Sequence, residues 1–238
     1  MTTPANFLNA YGIISEAYFN ASLVGEGQTP SSEKIAMGMS KLNRMVQLKQ
    51  TKGLKLWTNM DLPVTLVAGV NLYTFGPGGT VVMTRPVRAP MAYYSDVNGI
   101  RRPIEPISRQ EWDLLSQVNQ LGAINNYFVD KQQLSLNVYL WLTPDASAAT
   151  GSLHLIIQQQ ITYNTSLLDT INFPIEWSQW LTWGLAQQLA VGQPDAIVAR
   201  CKGEADIAEN ILEGWDVEDT VTFFTPDARG AYGGNSFR

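Results

Sequence analysis

The chain of 238 residues has a single cysteine, Cys201, and a single histidine, His154. One cysteine excludes an intrachain disulfide and with it the Cys-rich secreted scaffolds. One His and one Cys also exclude a zinc site of the His/Cys type within one chain, and any mechanism that needs two imidazoles. No run approaches the roughly 18 consecutive apolar residues of a membrane span; the longest are short, such as 134–142 and 153–157. The first residues, MTTPANFLNAYG, lack the basic and apolar regions of a secretory signal. The expectation is a soluble protein used without membrane insertion.

A basic excess is missing too. The 16 Lys and Arg stand against 21 Asp and Glu, a formal net charge of −5. Residues 1–60 carry +3, residues 61–164 carry −1 and residues 165–238 carry −7. A protein that grips DNA concentrates cations on one face, because phosphate neutralisation supplies most of its affinity. Here the only basic cluster is one helix, and the acidic last third repels a polyanion. What the chain does have is 45% hydrophobic residues, enough for a packed core as one domain or two small sub-domains.

Periodicity predicts helices at both ends and strands between them. Phe7, Leu8, Tyr11, Ile14, Tyr18 and Phe19 mark a helix over about 5–21. Ser31, Ser32 and Glu33 start a second over about 31–52, stopped by Gly53, with Ile35, Met39, Leu42, Met45, Val46 and Leu48 on one side and Lys34, Lys41, Arg44 and Lys52 on the other. Strands are expected at 62–68, 71–75, 80–83, 87–95, 101–106, 126–129, 133–142 and 152–163. Turns are expected at Gly76-Pro77-Gly78-Gly79 and at Asn98-Gly99, the latter a two-residue hairpin signal. Ser108 with Glu111 forms a capping box for a short helix to about Val118. Helices return over about 175–191 and from Pro194 to about Glu213, the last with Ile197, Cys201, Ile207, Ile211 and Leu212 inward. Beyond Trp215 the periodicity stops, and Phe223, Phe224, Tyr232 and Phe237 are spaced like separate anchors.

This order predicts an α+β fold: an antiparallel helical bundle built from N- and C-terminal helices, an inserted β-rich sub-domain and an extended C-terminal arm. The segments are 1–60 for the first helices, 61–164 for the β-rich sub-domain, 165–215 for the last helices and 216–238 for the arm.

Candidate chemistry is sparse. The close carboxylates are Glu111 with Asp113, and Asp216 with Glu218 and Asp219; such groups serve as acid and base when their environments separate their pKa values. His154 lies in SLHLIIQ, where alternation places it opposite Leu153 and Leu155 with no identifiable Ser, Cys or carboxylate partner. Cys201 has helical apolar spacing and reads as a small buried residue. The glycines of 76–79 and 230–234 have neither phosphate-loop order. Trp177, Trp180 and Trp183 share a helix face, where packing against helices or subunits is expected. No enzyme signature, metal site or cofactor site emerges.

The helix KLNRMVQLKQTKGLKLW (41–57), LPVTLVAGVNLYTFGPGG (62–79), TRPVRAPMAYY (84–94), PIEPISRQEW (103–112), LWLTP (140–144) and FPIEWSQWLTWGLAQQLA (173–190), in this order, give the chain a likeness over about 5–215. It resembles the head-to-tail adaptors of short-tailed bacteriophages, also called tail tubular protein A-like or head-completion proteins. The resemblance implies a non-enzymatic virion part, assembled in the host cytoplasm, that binds no cofactor. It implies self-association into a ring, typically of about a dozen copies, between the portal protein and the tail nozzle or tail tubular protein. Double-stranded DNA would pass through the lumen without specific binding. On this resemblance the arm, with Trp215, Phe223, Phe224, Tyr232, Phe237 and Arg238, holds the portal. The loops with Gly76, Pro77, Gly78 and Gly79, and with Asn98, Gly99 and Arg101, meet the tail.

An acidic subunit agrees with a conduit that lets DNA slide, since like charge repels phosphate within a screening length of about 8 Å. Two other classes compete. A carbohydrate-binding or glycan-active protein would need exposed Trp and carboxylates converging in one cleft. A nucleic-acid-binding module would use the 31–55 helix and weaken steeply with salt.

Overall fold

The computed structural model describes residues 9–52, 56–162, 164, 166–168 and 170–215. In chain order the elements are α1 (Ala10–Asn20), α2 (Ser32–Lys49), β1 (Asn59–Thr65), β2 (Leu72–Gly76), β3 (Val81–Val82), β4 (Arg88–Ser95), β5 (Arg101–Pro106), α3 (Arg109–Asp113), β6 (Leu121–Gly122), β7 (Asn126–Lys131), β8 (Leu136–Trp141), β9 (Thr143–Pro144), β10 (Ser152–Gln158), α4 (Ser178–Leu189) and α5 (Asp195–Trp215). Phe7 and Leu8, and all of 216–238 with its predicted anchors and its three early acids, lie outside the described residues.

The helix starts follow their caps. Asn9 accepts a hydrogen bond from the Gly12 N–H at 2.6 Å at the start of α1, and Ser31 accepts from Lys34 N–H at 3.4 Å at the start of α2. Gly38 of α2 lets α1 come close, because a Cβ there would overlap Ile14 and crowd Tyr18. α1, α2, α4 and α5 share a core around the fully buried Trp177, with Ile13, Ile14, Leu42, Leu181 and Leu185.

The architecture corrects the expected helical bundle. The dominant unit is a nearly closed, eight-stranded mixed sheet, with strand order β1-β10-β4-β5-β7-β8-β2-β3, and the helices lie beside it. The β2–β3 and β5–β7 pairs are parallel and the others antiparallel. β1 and β2 are consecutive in the chain yet stand near opposite edges, so the short connection 66–71 draws the two edges together. Strict alternation makes this possible. Leu153, Leu155 and Ile157 of β10 point inward with Val64, Phe75, Leu136, Val138 and Leu140, which form a second core. Helical periodicity is local and easily read; curling a sheet depends on pairings between distant strands, such as Asn59 with Gln158.

Smaller corrections follow the same logic. The hairpin between β4 and β5 is real, but its turn spans Asp96 to Gly99, with the Gly99 N–H donating to the Asp96 carbonyl at 3.0 Å and Gly99 at φ +78°. The helix predicted to Val118 ends at Asp113, because apolar burial stops at Trp112 and Leu114 is exposed. On α5 the inward set is Cys201, Ala205, Ala208 and Leu212, whereas Ile207 and Ile211 face outward. Phe19 also faces outward.

A polar seam joins the two cores. The buried Gln50 side chain accepts from the Ile161 N–H at 2.9 Å, and the Gln50 main-chain carbonyl accepts from the buried Gln158 side-chain amide at 3.4 Å. These bonds satisfy backbone groups where the chain leaves the sheet for the helices.

Candidate functional site

Two polar constellations stand out, and each is assembled across distant segments. The first lies on the outer face of the sheet. His154 of β10 is flanked by Tyr93 of β4 and Asp61 of β1, because antiparallel register places Tyr93 opposite His154 and Asp61 two residues from Pro63 on the other side. The Tyr93 and His154 rings stack at 4.6 Å, and the Arg101 guanidinium caps the tyrosine at 4.9 Å.

The hydrogen bonds assign the tautomer. Tyr93 donates its hydroxyl to Asp61 Oδ2, so it offers His154 Nδ1 only an oxygen, at 3.1 Å. Nδ1 therefore carries the proton and donates to Asp61 Oδ1 at 2.9 Å. Nε2 shares a hydrogen bond with Ser152 Oγ at 3.1 Å. Burial works to raise the Asp61 pKa, but the bonds from Tyr93 and His154 and the Arg101 charge outweigh it and hold the carboxyl below its ordinary value. The same bond to Asp61 pushes the Tyr93 phenol up.

Ser152, His154 and Asp61 are thus ordered as an acyl-transfer triad would order them. The surroundings differ from such a site. β10 is paired on both sides, by β1 and β4, and Ser152 is in register with Thr65 and Ser95, so the nearby backbone amides serve the ladders and are not aimed at a developing oxyanion. The arrangement ties three strands together through side chains. Ser152 was legible as the residue two before His154 on the same face; Asp61, 93 residues away, and Tyr93 were not.

The second constellation joins α2 to α5. Lys49, only 5% exposed, reaches Glu209 at 2.9 Å and Glu213 at 3.2 Å, and Lys52 reaches the same two carboxylates at 2.7 Å. The Lys49 ammonium also lies 5.1 Å from the Trp180 ring, and Trp180 Nε1 donates to Glu209 at 3.2 Å. Burial would raise the Glu209 pKa, yet Lys52 and Lys49 bring it down to about 2. The spacings of Lys49 with Lys52 and of Glu209 with Glu213 are visible in sequence; their meeting is not.

The predicted site residues are dispersed. Glu111 completes the capping box, its carboxylate accepting from Ser108 N–H at 2.6 Å, and Asp113 pairs with Arg109 at 3.1 Å. Cys201 is buried and its thiol is pushed up by that burial. Trp177 and Trp180 are core residues, and Trp183 is half-buried. Gly76, Pro77, Gly78 and Gly79 form a tight turn in which a Cβ on Gly79 would overlap the Thr74 carbonyl. Beside it a cleft of about 390 Å³ runs between Pro77, Gly78, Gly79 and the exposed Leu134. Asn98 and Gly99 lie between the exposed Val97 and Ile100, and Arg101 caps Tyr93. Trp215 ends α5 half exposed.

Among the described residues, no group of three or more His, Cys, Asp and Glu could hold a metal ion, and no helix is long and apolar enough to cross a membrane. In comparisons with known proteins, no family model and no curated sequence matches the chain.

Proposed function

We propose that the chain is a structural adaptor of a virion, placed between portal and tail nozzle, which forms a ring, retains packaged DNA and passes it on ejection. The observation that carries this reading is where bulky apolar side chains are left in water. Among those spread over the surface, some stand on the last turns of α5, at Ile207, Ile211 and Trp215, and on strand-connecting loops, at Val67, Val97, Ile100 and Leu134. Exposed groups of this kind mark contact surfaces. One of these loops holds Asn98 and Gly99, and Leu134 faces the turn of Gly76 to Gly79 across a cleft, the two turns expected to meet the tail; α5 runs directly into the segment expected to hold the portal.

In this reading the subunit has no reactive centre. The sheet acts as a stiff spacer, the loops at its rim meet the nozzle, and α5 with residues 216–238 attaches to portal clefts. A ring needs heterologous contacts whose rotation closes, and the negative charge of each copy keeps the passage from retaining DNA.

The test is to mix the full chain with the portal ring of the same virus and image the product. A single added ring below the portal is expected. Deleting 216–238 should leave the circular dichroism and the melt unchanged and abolish attachment. Free subunits in both samples, or attachment that survives the deletion, would overturn the assignment.

A further inference from the structure

One tryptophan stands between two clefts on the flank where α1 meets α4. The first cleft, of about 430 Å³, has Phe19, Asn20, Ser22, Glu26, Trp183 and Arg200 among its walls. The second, of about 360 Å³, is lined by Glu16, Ser178, Gln179, Thr182 and the same Trp183. Both have the size of small-ligand sites. Glu16, Phe19 and Asn20 recur at helical spacing on α1, as Gln179 and Trp183 do on α4, so each helix turns one stripe toward the clefts.

The groups in these walls are open to a ligand. Trp183 is half-buried and Phe19 is 52% exposed. The Glu16 and Glu26 carboxylates have no hydrogen-bond or ion-pair partner among the described residues. Arg200 is anchored by donating to the Asn20 carbonyl at 2.7 Å, which leaves further guanidinium N–H donors. Ser22, at φ +55°, is the one non-glycine residue in the left-handed region among the described residues. It closes α1: the Ser22 N–H donates to the Phe19 carbonyl at 2.9 Å and the Leu23 N–H to the Tyr18 carbonyl at 3.0 Å, a helix end where glycine is usual. Serine there keeps a strained backbone and adds a hydroxyl to the cleft wall, and strain of this kind gathers at binding sites.

We propose that the two clefts together bind a neutral pyranose oligosaccharide laid across Trp183. A pyranose has C–H faces and a rim of hydroxyls, each both donor and acceptor. A site for it needs a flat apolar wall and, around that wall, polar groups of both kinds. Trp183 and Phe19 supply the wall. Glu16 and Glu26 accept, Arg200 donates, and the Asn20 and Gln179 amides and the Ser22 hydroxyl do either. Other ligand classes fit less well. An anion would meet two carboxylates against one guanidinium, and an apolar ligand would cover those charges without pairing them. The saccharide is bound and left unchanged, so the site adds to the adaptor reading and stands or falls apart from it.

The test is calorimetric titration of the full chain with cellotetraose and with maltotetraose. Saturable binding of at least one is expected. Trp183→Ala should weaken it about tenfold, the scale of a lost aromatic contact. Glu26→Gln changes only an exposed loop position and should weaken it about fivefold, as should Ser22→Gly, each for a lost hydrogen bond. Ser22→Gly should at the same time raise the melting temperature, because glycine relieves the left-handed backbone. Trp215→Ala, which removes an exposed indole elsewhere, should leave binding unchanged. Absence of binding by both saccharides, or binding that survives Trp183→Ala and Glu26→Gln together, would overturn the proposal. Binding of a tetra-arginine peptide in place of the saccharides would overturn it too and assign the clefts to a basic segment of a partner.

Discussion

His154 shows how much one side chain can owe to its neighbours. Its two ring nitrogens are committed by opposite partners, Asp61 and Tyr93 at Nδ1 and Ser152 at Nε2, and each partner comes from a different place in the sheet. Because β1 lies at the edge of the sheet, the Asp61 bonds are side-chain ties that hold it to β10 and β4. Asp61→Asn should leave the fold intact and cost about 1 kcal/mol, the usual size for losing such bonds at a partly exposed site. Hydrogen exchange over 59–65 should rise more than over 136–141, and equal protection in both strands would contradict the role given to Asp61. Alternation correctly put His154 on the outer face, but the expectation that it lacks a carboxylate or Ser partner was wrong. A partner across a sheet has no fixed sequence offset, whereas Ser152, two residues away on the same strand, did.

At the scale of elements, α2 and α5 are clamped by Lys49 and Lys52 against Glu209 and Glu213. Removing both carboxylates with Glu209→Ala and Glu213→Ala leaves the buried Lys49 charge unpaired and should cost about 3–5 kcal/mol. Lys49→Met keeps the volume, removes the buried charge and leaves Lys52 with both acids, so it should change stability by about 1 kcal/mol or less. Urea midpoints would separate the two outcomes. The pH dependence has a definite sign. Glu209 titrates at about 2 when folded against an ordinary 4.5, so the unfolded chain binds the proton first on acidification. Its contribution is complete above about 4.5 and drains away as pH falls toward about 2. Glu209→Gln should flatten this part of the urea midpoint against pH.

The same elements mark what sequence reading captures. Caps at Ser31 and Ser108 and the strand alternation of SLHLIIQ are local, and each appears where expected, whereas α2 ends at Lys49, a few residues before the stop expected at Gly53. The orientation of α5 was misjudged because two solutions compete there. A stripe through Ile207 and Ile211 is more hydrophobic, yet the stripe through Ala205 and Ala208 is small enough to let α5 settle against α4.

At the scale of the molecule, two cores meet at a polar seam, and the seam decides whether they unfold together. Gln50→Ala removes the acceptor of the Ile161 N–H in a buried setting, a loss of about 1–3 kcal/mol. Calorimetry should show one transition in the parent chain and a broader or divided one in the variant; an unchanged single transition would mean that the coupling runs elsewhere. By itself the sequence determined the helices and most strands, the scarcity of reactive groups and the acidic balance, because caps, periodicity and charge act over a few residues. Only the tertiary structure decided that the sheet curls nearly closed and dominates the fold, that His154 meets Asp61, and that α5 turns Ile207, Ile211 and Trp215 to water. Those outcomes depend on which distant surfaces bury each other best, a competition settled by packing across the whole chain.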